Sequence, residues 1–140
     1  MKLITTRLIL AMLLIFAFAA SSHAGTGKEP EGVVVQANGS DAAAFKRALI
    51  LASNMHDVLK TTRFEIVVYG PSVKFLNAFG DELPLIQKVQ EEGMTVIACG
   101  RSLAMERLLD EDMAPGVRVV PFGAVHIVER QKEGWQYIRP

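Results

Sequence analysis

Cysteine is nearly absent: the 140 residues hold one, Cys99. A single thiol closes no internal disulfide, so the chain is not a small fold stapled by bridges. Nor is it a self-contained dithiol oxidoreductase, which needs a second, resolving cysteine. Histidine is almost as scarce. Of the three, His23 falls in an N-terminal leader, and His56 and His126 stand apart in separate segments. No spacing resembles a metal site, since zinc wants several ligands close together. Charge of one sign is not in excess either: 15 basic residues face 15 acidic ones, with no basic stripe of the kind that binds nucleic acid. Outside that leader, no pair of carboxylates, and no serine or cysteine directly beside a histidine, marks a hydrolase. Internal repeats and low-complexity tracts are also missing.

Long hydrophobic runs are confined to the N-terminus. "MKLITTRLILAMLLIFAFAASSHAG" reads as a secretory signal: Lys2 and Arg7 give the positive start, Leu8 to Ala20 is unbroken apolar, and Ser22 and Ala24 are the small residues that favour cleavage after Ala24. The run falls short of the roughly 20 apolar residues of a membrane span; an uncleaved anchor is the alternative. Residues 1–24 are thus expected to be a signal peptide, 25–32 a flexible Gly/Pro linker and 33–140 one domain. The signal carries off two basic residues and no acid, so 13 basic residues face 15 acidic ones in the mature chain, a net charge of −2. The expected location is the periplasm, with no membrane contact after cleavage.

Within the domain, short apolar strands alternate with helical patterns. "VVVQA" (Val33 to Ala37) reads as a buried strand, followed by "NGSD", where Ser40 or Asp41 can cap a helix. From Ala42 to Lys60 the spacing of Phe45, Ala48, Leu49, Ala52, Met55 and Leu59 predicts one helical face. "RFEIVVYG" is a second strand. "SVKFLNAF" and "LPLIQKVQEEG" predict helices, the latter with proline near its start and glycine at its end. "MTVIAC" is a third strand, "RSLAMERLLDEDM" a helix or two helical turns, and "GVRVVP" a fourth strand. "GAVHIVERQKEG" predicts a last helix with Val125, Ile127 and Val128 as its apolar positions, and "WQYIRP" a terminal extended segment. Such alternation predicts a single α/β domain whose mostly parallel sheet is covered on both faces.

The chemistry-bearing stretch is "TVIACGRSL". In an open parallel sheet, ligands gather at the carboxyl ends of the strands, and Cys99 ends one. Gly100, Arg101 and Ser102 then open a helix, whose free N–H groups favour a negative charge. A thiol there ionises more easily, and the thiolate is the nucleophile. Gly100 lets a ligand approach and Arg101 adds a cation. The same edge is expected to collect Asn38, Gly39 and Ser40 after the first strand, and Gly70 and Pro71 after the second. A buried, inert cysteine is the competing reading, because cysteine is among the residues most often buried; an intermolecular disulfide is a third. Capping and turn formation alone also explain Asn38, Gly39, Ser40, Gly70 and Pro71.

Taken together, "VVVQANGSDAAAFKRALILASNM", "FEIVVYGPSVKFL", "GMTVIACGRSL" and "PFGAVHIVERQKEGWQYIRP" resemble the DsrE/DsrF-like family, small α/β proteins of sulfur oxidation and sulfur relay to tRNA. The resemblance implies a three-layer α/β/α domain with a five-stranded, mostly parallel sheet, and assembly into a homo-oligomer, a trimer or hexamer. It also implies that Cys99 accepts sulfur as a persulfide and passes it on. Ser102 and Leu103 match the family's cysteine-x-Asn-Thr/Ser-Leu pattern; Arg101 departs from it. So does the signal peptide, because the well-understood members are cytoplasmic and an exported chain cannot serve tRNA. The resulting expectation is a periplasmic sulfur carrier needing no cofactor and no metal, closer to a group carrier than to an enzyme that turns over. The rival is a non-catalytic exported oligomeric binding module in which Cys99 is packing. Trp135 and Tyr137 are candidates for either the core or a subunit interface.

Overall fold

In the computed structural model, residues 32–140 are described; the expected signal, its cleavage after Ala24 and residues 25–31 of the expected linker lie outside them. Strand β1 (Gly32–Ala37) is buried at every position, as is β2 (Arg63–Val68) after its first residue and β3 (Thr95–Cys99) after its own. Continuous burial of this kind belongs to central strands covered on both faces. Two short strands complete the sheet, β4 (Arg118–Val120) and β5 (Gln136–Ile138), in the order β4-β3-β2-β1-β5. Every neighbouring pair is parallel. The terminal extended segment is therefore a fifth strand, hydrogen-bonded beside β1.

Parallel neighbours need crossovers. Helix α1 (Ala42–Val58) links β1 to β2. A 3₁₀ segment, Gly70–Leu76, and α2 (Leu83–Glu91) link β2 to β3. Helix α3 (Gly100–Glu106) and a short 3₁₀ turn, Asp110–Asp112, lead to β4. Helix α4 (Gly123–Lys132) carries the chain from the β4 edge back across the sheet to β5. These first steps all run one way across the sheet and the last runs back. With a fixed crossover hand, the last helix must lie on the opposite face.

The core divides accordingly. Val33, Val35, Phe64, Ile66, Val68, Val96 and Ala98 face Phe45, Leu49, Ile86, Val89 and Leu103 of the first three helices. The alternate residues Val34, Val67 and Ile97 face Ile127 of α4 and Trp135. This is the period-2 alternation of a strand between two layers, so the domain is α/β/α with a five-stranded parallel sheet.

Several boundaries differ from expectation. Of the two expected caps, Ser40 and Asp41, it is Asp41 that caps α1, accepting the Ala44 N–H at 2.8 Å. Gly32 belongs to β1 rather than to the linker. A Cβ there would lie 2.5 Å from the Trp135 ring, so Trp135 closes over a glycine and is core. "SVKFLNAF" gives a 3₁₀ segment that starts at Gly70. Helix α3 stops at Glu106 because Arg107 turns left-handed, φ 58°. On α4, Ile127 is buried but Val125 and Val128 are exposed. At 100° per residue neither valine shares the stripe of Gly123 and Ile127. Leu59, expected on the apolar face of α1, likewise lies exposed.

Candidate functional site

Because all five strands run the same way, their carboxyl ends share one edge. Cys99 ends β3 in extended conformation (φ −84°, ψ 111°) and stands at the N-cap of α3. Its neighbours there are tied by hydrogen bonds. Ser72 Oγ donates to the Gly39 carbonyl at 2.5 Å, joining the loops after β1 and β2. The Gly70 N–H donates to Ser102 Oγ at 2.8 Å, joining the β2 loop to α3. The Arg101 N–H donates to the Pro121 carbonyl at 3.1 Å, joining α3 to the loop after β4. Gly70 has φ +60°, a conformation that glycine takes without strain.

The Cys99 side chain is only 5% exposed. Burial pushes its pKa up, and that is the largest single influence. Against it, the sulfur receives the Gly123 N–H, the hydroxyl and N–H of Ser102, and the Arg101 N–H. Together these donors hold the thiol below its ordinary value of 9.0. Hydrogen bonds to the charged form favour that form. Gly123, the first residue of α4, reaches the sulfur because it has no side chain. A Cβ there would stand 3.1 Å from Cys99 Cβ, 3.2 Å from Val67 Cγ1 and 3.3 Å from Tyr69 Cβ. Two helix N-termini thus converge on one buried thiol, a cradle for a sulfur anion.

The sequence-derived candidates fall in two shells. Ser102 and the backbone of Arg101 meet the sulfur; the Arg101 side chain is exposed. Gly100 packs beneath β4, where a Cβ would lie 3.4 Å from the Val120 carbonyl. Gly70 and Pro71 line a hollow of about 100 Å³ with Ser102, Met105 and Glu106. Gly39 is one step removed, its carbonyl held by Ser72; the Asn38 carbonyl lies 4.0 Å from where a Cβ on Gly70 would stand, and Ser40 is an exposed turn residue. Among the described residues, no three His, Cys, Asp or Glu group as a metal site.

Sequence reasoning missed Gly123, whose only signal is a glycine directly before the last helical pattern. It also missed Tyr69. Burial, and then Tyr137 nearby, push the Tyr69 phenol up, while Arg139 and a hydrogen bond with Gln36 pull the other way; Cys99 adds to the rise. Tyr137 donates to Gln36 Oε1 at 2.5 Å. The largest omission is Glu65, 5% exposed on β2. Its Oε1 accepts from Arg130 Nη2 (2.8 Å) and Arg118 Nη2 (3.2 Å). Its Oε2 accepts from Arg130 Nε (2.8 Å) and lies 2.7 Å from His126 Nε2. Burial pushes the Glu65 carboxyl up, but the bonds and charges of Arg130 and His126 outweigh it and hold the carboxyl below its usual range. His126 is therefore not isolated. One acid inside "RFEIVV" was the available signal, since a buried charge needs partners.

The DsrE/DsrF-like family model matches residues 32–140. A solved protein of unknown function, MTH1491 from Methanobacterium thermoautotrophicum, is similar at 32% identity, over 77% of this chain and 97% of its own, with a TM-score of 0.67. The ychN protein from E. coli shares 11% identity over 79% of this chain and 99% of its own, TM-score 0.70. A conserved protein of unknown function from Bacteroides thetaiotaomicron, BT1422, shares 14% over 79% and 95%, TM-score 0.64. These last two share the fold. No curated protein sequence matches the chain.

Proposed function

Because the chain belongs to the DsrE/DsrF-like family, we propose that it is a sulfur carrier that holds sulfane sulfur as a persulfide on Cys99. The observation that carries this reading is the place of Cys99, at the carboxyl end of β3 and the start of α3, with Gly123 of α4 packed against it. In the reaction, the thiolate attacks the terminal sulfur of a donor R–S–S⁻. The new Cys99–S bond forms as the bond to R–S breaks, and the electron pair leaves on R–S⁻, so no oxidant is consumed. The product Cys99–S–S⁻ is again an anion. An acceptor thiolate, or sulfite, then takes the outer sulfur and Cys99 leaves as thiolate.

The proposed setting is the periplasm after cleavage behind Ala24, which rests on the composition of residues 1–24. The proposed assembly is a homo-oligomer, supported by the exposure of Phe79, Phe122, Val125 and Val128. Intact-mass measurement after incubation with polysulfide tests the carrier. The wild type is expected to gain sulfur mass that dithiothreitol removes, and Cys99→Ser to gain none. Dithiothreitol reversal separates persulfide from sulfinic acid, which resists that reductant. Stoichiometric uptake by Cys99→Ser ends the proposal.

The burial of Cys99 favours a second reading, an oligomeric binding module in which the thiol is packing. Iodoacetamide separates the two: a carrier labels under native conditions, a packed thiol only after unfolding.

A further inference from the structure

We propose that the buried Glu65 cluster is a positioning device for Cys99: by locking α4 it holds Gly123, the first residue of that helix, against the thiol. The inference rests on the carrier reading of Cys99.

Helix α4 has little else to fix it. Gly123, His126, Ile127 and Arg130 recur at helical spacing and form its inward stripe. Gly123 has no side chain to bury, and Ile127 alone on this stripe is apolar and enclosed, while Val125 and Val128 face outward. Apolar burial is non-directional, so one isoleucine sets neither the rotation nor the axial position of the helix. The contacts to Glu65 do. Arg130 grips the carboxylate with Nε and Nη2, both at 2.8 Å, and His126 Nε2 meets it at 2.7 Å. A fork-on-carboxylate pair adds geometric specificity to its energy. The Arg130 guanidinium also lies 4.8 Å from the Trp135 ring centroid, with Arg63 over the same ring at 5.0 Å, and pairs with Glu133 at 2.7 Å.

The strand that carries Glu65 is also the seat of Gly123. Glu65, Val67 and Tyr69 alternate onto one face of β2, and Gly123 rests against Val67 and Tyr69. One rigid strand therefore holds α4 at both ends of its inward stripe. Hydrogen bonds weaken steeply as distance and angle depart from ideal, so a small slide of α4 is enough to spoil the N–H to sulfur contact.

The charges around both groups make the test sharp. Glu65 faces Arg118 from β4 and His126 and Arg130 from α4. Cys99 has Tyr69 beside it, with Tyr137 and Arg139 beyond, and Arg101, the second residue of α3, has its side chain exposed. Glu65 pairs in register with Thr95, four residues before Cys99, roughly 13 Å along the strand. Acting through space alone, loss of the Glu65 charge would make the thiol easier to ionise. Acting through position, it makes ionisation harder.

The experiment is the pH profile of iodoacetamide alkylation of Cys99 in the purified protein, with thermal unfolding alongside. The variants are Glu65→Gln, Arg130→Lys and, as a control on the opposite face, Leu49→Ala. Arg130→Lys keeps the charge but loses the two-pronged grip, and it decides the matter if Glu65→Gln fails to fold. The expected result is an upward shift of the midpoint in Glu65→Gln, by about half a unit to one unit for loss of one donor to the anion. A smaller upward shift is expected in Arg130→Lys and no shift in Leu49→Ala, although that variant also melts earlier. An unchanged midpoint in both cluster variants, or a downward shift in Glu65→Gln, overturns the proposal while leaving the carrier standing. A wild-type midpoint at the ordinary thiol value overturns the carrier itself and this inference with it.

Discussion

A thiol among so many apolar neighbours would ordinarily be less acidic than in water, because burial penalises the charged form. At Cys99 four donors reverse that balance, and their removal has separable consequences. Ser102→Ala takes away the hydroxyl shared between Cys99 and the Gly70 N–H. It leaves a part-buried donor without its partner, a loss of about 1–3 kcal/mol. Slower alkylation at neutral pH and a lower melting temperature are the expected readouts. Gly123→Ala acts by another route: the new methyl meets carbon atoms at 3.1–3.3 Å on three sides, overpacking that costs about 1–3 kcal/mol. The helix must back away from the sulfur, so alkylation slows there too. Unchanged alkylation in both variants would mean that these donors do not govern the thiol. Cys99, Gly100 and Ser102 were legible because they are contiguous, and a strand, a cysteine and a helix start suffice to place them. Gly123 was not, because its contact with Cys99 is made only when α4 folds back over the sheet.

At the scale of the element, α4 shows why an apolar pattern can mislead. Val125, Ile127 and Val128 are the apolar positions of this helix in sequence, yet of the three only Ile127 turns inward, and polar groups take the rest of that stripe. Counting apolar residues assigns the helix correctly but rotates it wrongly, since the buried carboxylate on β2 captures His126 and Arg130. Helix α1 had no such competitor. Phe45, Ala48, Leu49 and Ala52 are buried as their spacing implies. The Glu65 cluster makes stability depend on acid. The folded pKa of Glu65 lies below the ordinary carboxylate value of 4.5, so its contribution is complete above that value. It is lost as pH falls through the lower folded pKa. Glu65→Gln should therefore be markedly less stable than the wild type at pH 7, by about 3 kcal/mol for a broken buried pair with half-exposed Arg118 among the partners. The gap should begin to narrow as pH falls below about 4.5 and go on narrowing until pH is below the lower folded pKa, where both side chains are neutral. Chemical denaturation of both proteins across that range measures it. A gap independent of pH would show that Glu65 contributes shape rather than charge.

For the whole molecule, the parallel sheet was legible because three strands each carry a β-branched stretch, Val33–Val35, Ile66–Val68 and Thr95–Ile97, of the kind that suits burial on both faces. The place of β5 beside β1 was not, since three residues with two exposed side chains carry little pattern. What the single chain leaves uncovered gives the last expectation. Phe122 and Val125 are exposed and border a hollow of about 300 Å³ with Val120, Pro121, His126 and Glu129. The hollow lies along β4, an edge strand of three residues with open hydrogen-bonding groups on its outer side. Exposed aromatic and aliphatic groups beside an open edge are the composition of a subunit contact, and a stable one buries about 1,600 Å² in total. Light scattering of the eluting protein should thus give a mass that is a multiple of the single chain. Phe122→Asp combined with Val125→Asp should return it to one chain with its circular dichroism intact, because both side chains already meet solvent. A wild type that elutes at the mass of one chain ends the oligomer expectation; a double variant that keeps the wild-type mass moves the contact to another surface. Phe122 immediately precedes Gly123, so assembly at this face would bear directly on the helix start that holds the Cys99 sulfur. The same double variant should then also alter the rate at which Cys99 is alkylated.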